Sequence, residues 1–136
     1  MPLHLLKMAV GIEDIAELER VRRTRAAERG GHWVYTRNRP RRALEVLEGG
    51  SIYWVIRGHN RVRQRVLGFR TEREAGGRRI CLIDVDGALV PTLARPCRPF
   101  QGWRYLLPAD APPDRPSAQA PASDSLLSEL RSLGLI

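Results

Sequence analysis

The apolar residues of this chain fall into short runs, each closed by glycine or proline. Residues 3–10 (LHLLKMAV), between Pro2 and Gly11, suit a buried strand. Residues 12–29 predict a helix, because Ile12, Ile15, Ala16 and Leu18 gather on one side of a 3.6-residue wheel. Beyond Arg20 this segment reads RVRRTRAAERGG, a polar and solvated stretch that Gly30-Gly31 ends. Residues 32–37 (HWVYTR) suit a strand with Trp33 and Tyr35 on one face. Residues 39–48 (RPRRALEVLE) predict a second, shorter helix, with Pro40 in its first turn and Gly49 at its end.

The clearest alternation is SIYWVIRG at 51–58. Ile52, Trp54 and Ile56 point one way, and Tyr53, Val55 and Arg57 the other. A turn at Gly58-His59-Asn60 leads into RVRQRVLGFRTE at 61–72, which makes a hairpin. A further turn at 75–77 leads into RRICLIDVD at 78–86, so three consecutive strands form an antiparallel meander. Residues 90–105, with three prolines and three aromatics, read as an extended edge segment.

Residues 108–123 hold Pro, Ala, Ser and Asp with almost no large apolar side chain, and read as a flexible linker. Residues 124–136 read as a short amphipathic helix with Leu126, Leu127, Leu130 and Leu133 as its stripe. The expected architecture is α+β: one domain over 1–107 with a small curved, mostly antiparallel sheet and two helices, then the linker and the C-terminal helix.

Charge changes this picture most. The 136 residues carry 23 Lys and Arg against 15 acids, a net charge of +8, and Lys7 is the sole lysine. Residues 37–104 carry fifteen of the cations and six of the acids. Two accounts compete: a genome-wide bias that favours arginine, and anion recognition by the guanidinium fork. Cys81 and Cys97 are the two cysteines and form no CxxC pair. With no secretory leader pattern, both are expected to be reduced thiols in the cytoplasm. The apolar runs are too short for a membrane span.

Three stretches together are specific: MPLHLLKMAVGIEDIAEL, then TRNRPRRALEVLEGGSIYWVIRG with RQRVLGF, and RPFQGWRYLLPADAPPD. They resemble a family of short alphaproteobacterial proteins known as domain of unknown function 1489, over roughly residues 1–115. The resemblance implies a cytosolic bacterial protein of one domain and carries over no activity. At fold level, segment 40–70 also resembles PUA- and ASCH-type barrels that bind RNA or modified bases.

Three clusters are candidate sites. Arg37, Arg39, Arg41 and Arg42 stand before and within the first turn of the second helix, where free N–H groups favour an anion. Long arginine stems lying on the surface are the simpler account. Arg61, Arg63 and Arg65 share one strand face at about 7 Å spacing, close to the phosphate repeat, and Arg57 can join them across the turn. A solvent-facing strand paired with Glu72 or Glu74 explains them equally well. In RPFQGWRY, Arg98, Trp103 and Arg104 interleave aromatics with cations, as base-stacking sites do. Aromatics closing a core edge are the alternative.

Catalytic signals are thin. His59, beside the arginine ladder, is the best general-base candidate. Asp84 and Asp86 fall on one strand side and suit either a metal or a turn cap. Cys97 lies between Arg95 and Arg98 but has no base beside it. No P-loop, GxGxxG, HExxH or GxSxG occurs, so neither cofactor nor resident metal is expected. The leading reading is a binding module for RNA or another phosphate-bearing ligand. The alternatives are a small enzyme acting on a phosphorylated or nucleotide-like metabolite, and an adaptor that grips a protein partner with its C-terminal helix.

Overall fold

The computed structural model describes residues 2–116. The 124–136 helix and the linker beyond residue 116 lie outside the described residues. The chain runs β1 (His4–Met8), α1 (Ile15–Arg29), β2 (Trp33–Thr36), α2 (Ala43–Val46), β3 (Ser51–Ile56), β4 (His59–Arg73), β5 (Arg79–Val85), β6 (Val90–Pro96) and β7 (Trp103–Leu106). The seven strands form one sheet in the order β2-β5-β4-β3-β1-β7, with β6 also paired to β4. Only β1 and β3 run parallel; every other pair is antiparallel. The path is open among the described residues, so the strands do not form the closed barrel suggested by segment 40–70. No described helix is long and apolar enough to cross a membrane.

β4 organises the sheet. Its first half pairs with β3 and β6, and beyond a register shift at Val66–Gly68 its second half pairs with β5. The irregularity bends the strand, as bulges do, and lets one strand serve two stretches of sheet. The β3–β4 turn is tighter than the sequence suggested. Ile56 pairs with His59, leaving Arg57 and Gly58 as a two-residue loop with φ of 49° and 78°. Such primed turns match the strand twist but ask for left-handed residues, which strains Arg57.

The strand periodicity sorts the side chains onto two faces. Leu5, Ile52, Trp54, Ile56, Val62, Val66 and Ile83 face α1 and α2 and make the main core. Leu6, Tyr53, Val55 and Leu106 make a smaller core on the opposite face, packed with Phe100 and Ala111. Gly50, between α2 and β3, is required by close packing: a Cβ there would collide with the carbonyl oxygen of Leu3.

α1 is well terminated. The Asp14 carboxylate accepts from the Glu17 N–H at 2.8 Å, and Gly30 closes the helix in the left-handed region, donating to the Ala26 carbonyl at 2.8 Å. Its inward face is poorly apolar, with Leu18 and Arg22 its only buried residues. α2 is a correction to the 39–48 helix. Only Ala43–Val46 is helical, and Arg37, Arg39 and Arg41 precede it in irregular chain.

The second difference lies at the end of the domain. Residues 108–116, expected as flexible linker, form a strap on the small-core face. A bridge joins Thr92 to Asp114, the Leu93 N–H donates to the Pro113 carbonyl at 2.9 Å, and the Arg115 N–H donates to the Pro91 carbonyl at 3.0 Å. Pro112 is fully buried.

Candidate functional site

The clusters expected from sequence come together only in part. Ahead of α2, Arg42 is held by its own helix: Nε and Nη2 both donate to Glu45 at 2.7 Å. The hydrogen bonds raise the Arg42 pKa and lower that of Glu45. Arg39 lies over the Phe69 ring at 5.7 Å, while Arg37 and Arg41 are exposed. Helix starts at Ala43, so Arg37, Arg39 and Arg41 do not stand in a helical first turn.

Arg61, Arg63 and Arg65 do share a strand face, as the alternation requires, but their environments differ. Asp114 of the strap takes the middle rung in a bidentate pair, with Arg63 Nε and Nη2 each 2.8 Å from a carboxylate oxygen. Nη1 of Arg63 also donates to Ser51 Oγ at 3.0 Å. The pair raises the Arg63 pKa and holds the Asp114 carboxyl below the usual carboxylate range. Arg61 is half-buried with its Nε unpartnered; burial lowers its pKa, with Arg115 and Arg57 adding to the effect. Arg57 pairs with Glu13 at 2.7 Å, leaving Arg65 as the exposed rung. Beside them is a recess of about 380 Å³ whose lining includes His4, Tyr53, Arg63, Arg65 and Asp114, so both signs of charge meet there. His4 Nδ1 accepts from the Ser51 N–H at 3.0 Å, and burial followed by Arg63 lowers its pKa. A neutral His4 therefore carries its proton on Nε2 and acts as a donor, not a base.

In the RPFQGWRY stretch the aromatics are already occupied. Arg104 lies over the Phe100 ring at 4.6 Å, and Trp103 meets Tyr105 edge to face at 4.9 Å while packing on the main core. Arg98 is exposed. The Asp84 carboxylate is gripped by Arg70 through two bonds of 2.8 Å, and Asp86 Oδ1 caps the Ala88 N–H at 3.1 Å. Among the described residues no group of three His, Cys, Asp or Glu side chains is placed to hold a metal. His59 Nδ1 lies 3.3 Å from the Arg57 carbonyl oxygen.

The site that the sequence reading missed lies under α1. A groove of about 560 Å³ opens between the helix and the sheet, with Lys7, Arg22, Arg25 and Arg29 among its lining residues. Leu18, Val21, Val34 and Trp54 supply its apolar wall, and Tyr35 the one hydroxyl side chain. No carboxylate among the described residues lines it.

Arg22 is the centre of this groove. It is 6% exposed, donates from Nη2 to the Trp33 carbonyl at 2.7 Å, and lies over the Trp54 ring at 5.7 Å. Its Nε is buried without a partner. Burial, with Arg25 and Arg29 adding to it, pushes its pKa down to about 10. The floor beneath it is fixed, because Trp54 Nε1 donates to Gln64 Oε1 at 3.0 Å and Gln64 in turn donates to the Asp86 carbonyl at 2.9 Å. Burying a charge without a counter-ion costs several kcal/mol, an amount that a bound anion offsets.

The sequence does carry the signal. Ile15, Leu18, Arg22, Arg25 and Arg29 follow one another at spacings of three and four, the stripe that a helix turns inward. The stripe simply changes from apolar to cationic halfway along.

No curated protein and no solved structure matches this chain. One family model does, over residues 5–136, which extends past residue 115 to the end of the chain. The groove, its arginine stripe and the strap are therefore features of a chain that belongs to the family of proteins of unknown function designated DUF1489.

Proposed function

We propose that this protein is a binding module for a small phosphate-bearing ligand, seated in the groove beneath α1. The observation that carries the reading is Arg22, nine-tenths buried and charged, in a groove where it and three further cations meet no acid among the described residues. The volume is that of a nucleotide-sized ligand. A planar guanidinium already anchored by the Trp33 carbonyl is preorganised to receive a phosphate oxygen. The apolar wall fits a ligand with a hydrophobic body behind its anionic head.

A polymer track for RNA has less support. It needs a run of free cations, whereas Arg42, Arg57 and Arg63 each have an acidic partner. Both cysteines are free thiols, which fits the expected cytoplasmic setting.

Thermal unfolding of the full chain with inorganic phosphate, a nucleoside monophosphate and single-stranded RNA tests the reading. A monophosphate at a hundredfold excess over its Kd is expected to stabilise by about 2.7 kcal/mol, or roughly 10 °C. Arg22→Gln should weaken that ligand by about ten- to a hundredfold, the loss of a charge-assisted hydrogen bond. The triple variant Arg61→Gln, Arg63→Gln, Arg65→Gln should leave it unchanged. RNA binding that the triple variant weakens, with no effect of Arg22→Gln, would move the function to the ladder. No shift with any of the three ligands would overturn the proposal.

A further inference from the structure

Lys7 is the one lysine in a chain that otherwise uses arginine at every cationic position. An arginine supplies charge equally well, so charge alone gives no reason for the exception. The difference in chemistry is the amine: a lysine can lose its proton and attack a carbon, and a guanidinium cannot. The position is as distinctive as the residue. Lys7 stands next to the end of β1, with Trp54 of β3 and Trp103 of β7 as its register partners. Leu5 and Ala9, on the same side of the strand, belong to the main core, so Lys7 faces α1 and lines the floor of the groove.

We propose that Lys7 is a Schiff-base-forming amine, which captures an aldehyde or ketone carrying an anionic group that the arginines of α1 hold. The inference rests on the reading of the groove as an anion site. The free amine attacks the carbonyl carbon. A carbon–nitrogen bond forms as the carbon–oxygen π bond breaks, and the oxygen takes the proton that the attacking nitrogen releases. With a second proton, from solvent, the carbinolamine loses that oxygen as water while the nitrogen lone pair forms the protonated imine, with no oxidant or reductant required. Three features favour the step. Lys7 is half-buried, it makes no ion pair with any described residue, and burial lowers its pKa, which raises the share of reactive amine at neutral pH. Arg22, Arg25 and Arg29 line the same groove from α1, and Tyr35 lines it from β2.

Pyridoxal 5′-phosphate is the probe, followed by borohydride reduction and peptide mass spectrometry on the full chain. Lys7 and the α-amine are the only primary amines of the sequence, so the readout is unambiguous. The folded protein is expected to be modified at Lys7 on the order of tenfold faster than the urea-unfolded chain, the factor that one charge-assisted hydrogen bond supplies. Inorganic phosphate should compete, pyridoxal without its phosphate should react more slowly, and Lys7→Arg should abolish the adduct. Modification confined to the α-amine, or no faster in the folded state, would overturn the Schiff-base role. If phosphate still stabilised the protein in that case, the anion site itself would stand. Equal rates for pyridoxal and its phosphate, with no competition, would overturn both.

Discussion

Two buried or half-buried arginines of this molecule are treated in opposite ways. Under the strap, Arg63 meets Asp114 in a bidentate pair. Under α1, Arg22 is more deeply buried than Arg63, yet no described acid lines the groove around it. A cation with a good carboxylate partner has a structural explanation that is complete. A buried cation without one costs stability in the empty protein, and that cost points to a ligand. The same net charge thus divides into a part that fastens a strap and a part that lies in the groove proposed to receive an anion.

The comparison can be broken most severely at the groove floor. Trp54 is 5% exposed, carries the Arg22 guanidinium on its ring and is tied to Gln64. Trp54→Ala is expected to cost about 3–5 kcal/mol, with a fall in Tm of well over 10 °C. Thermal or urea unfolding measures it. A loss under about 1 kcal/mol would mean that the helix settles onto the sheet without its floor and that the groove is not a fixed cavity.

How far the sequence discloses each face follows from the kind of signal involved. Strand alternation is local: it puts Ile52, Trp54 and Ile56 on one side, which the structure shows to be the main core, and the three ladder arginines on one side of β4. The strap is invisible to that reasoning. Its Pro- and Ala-rich composition reads as linker, and its order comes from long-range bonds such as Arg63 to Asp114. The second helix was overestimated because Arg39–Arg42 were counted as its first turn, whereas helix begins at Ala43. The groove escapes the sequence for a different reason. Arginine on a helix is usually solvated, so composition outweighed the three-four spacing that carries Arg22 inward.

The strap offers a milder break. Asp114→Asn removes the carboxylate from Arg63 and should lower stability by about 1 kcal/mol, the upper range for a partly exposed pair. The pH dependence follows from the direction of the shift. The folded-state pKa of Asp114 is depressed, so its contribution is complete above the unfolded carboxylate value and disappears as pH falls through the folded value. Wild type and Asp114→Asn should therefore converge in Tm as pH is lowered below about 4, the ordinary range for aspartate. A difference that persisted unchanged to lower pH would show that the ion pair is not what Asp114 contributes.

The smallest effect is expected one rung along the ladder, and it isolates the argument best. Arg65 shares its strand, its face and its residue type with Arg63, but it is exposed, is Cα partner to Ser51 and makes no ion pair with a described residue. Surface changes of this kind stay within about 0.5 kcal/mol. Arg65→Gln should thus leave Tm nearly unchanged, whereas Arg63→Gln should match Asp114→Asn. The double variant of Arg63 and Asp114 should cost little more than either single one, because each change breaks the same pair. If Arg65→Gln were as costly as Arg63→Gln, the pairing with Asp114 would not distinguish the rungs. The contrast between partnered and unpartnered arginine would then lose its footing on this face, and the case for the groove would rest on Arg22 alone.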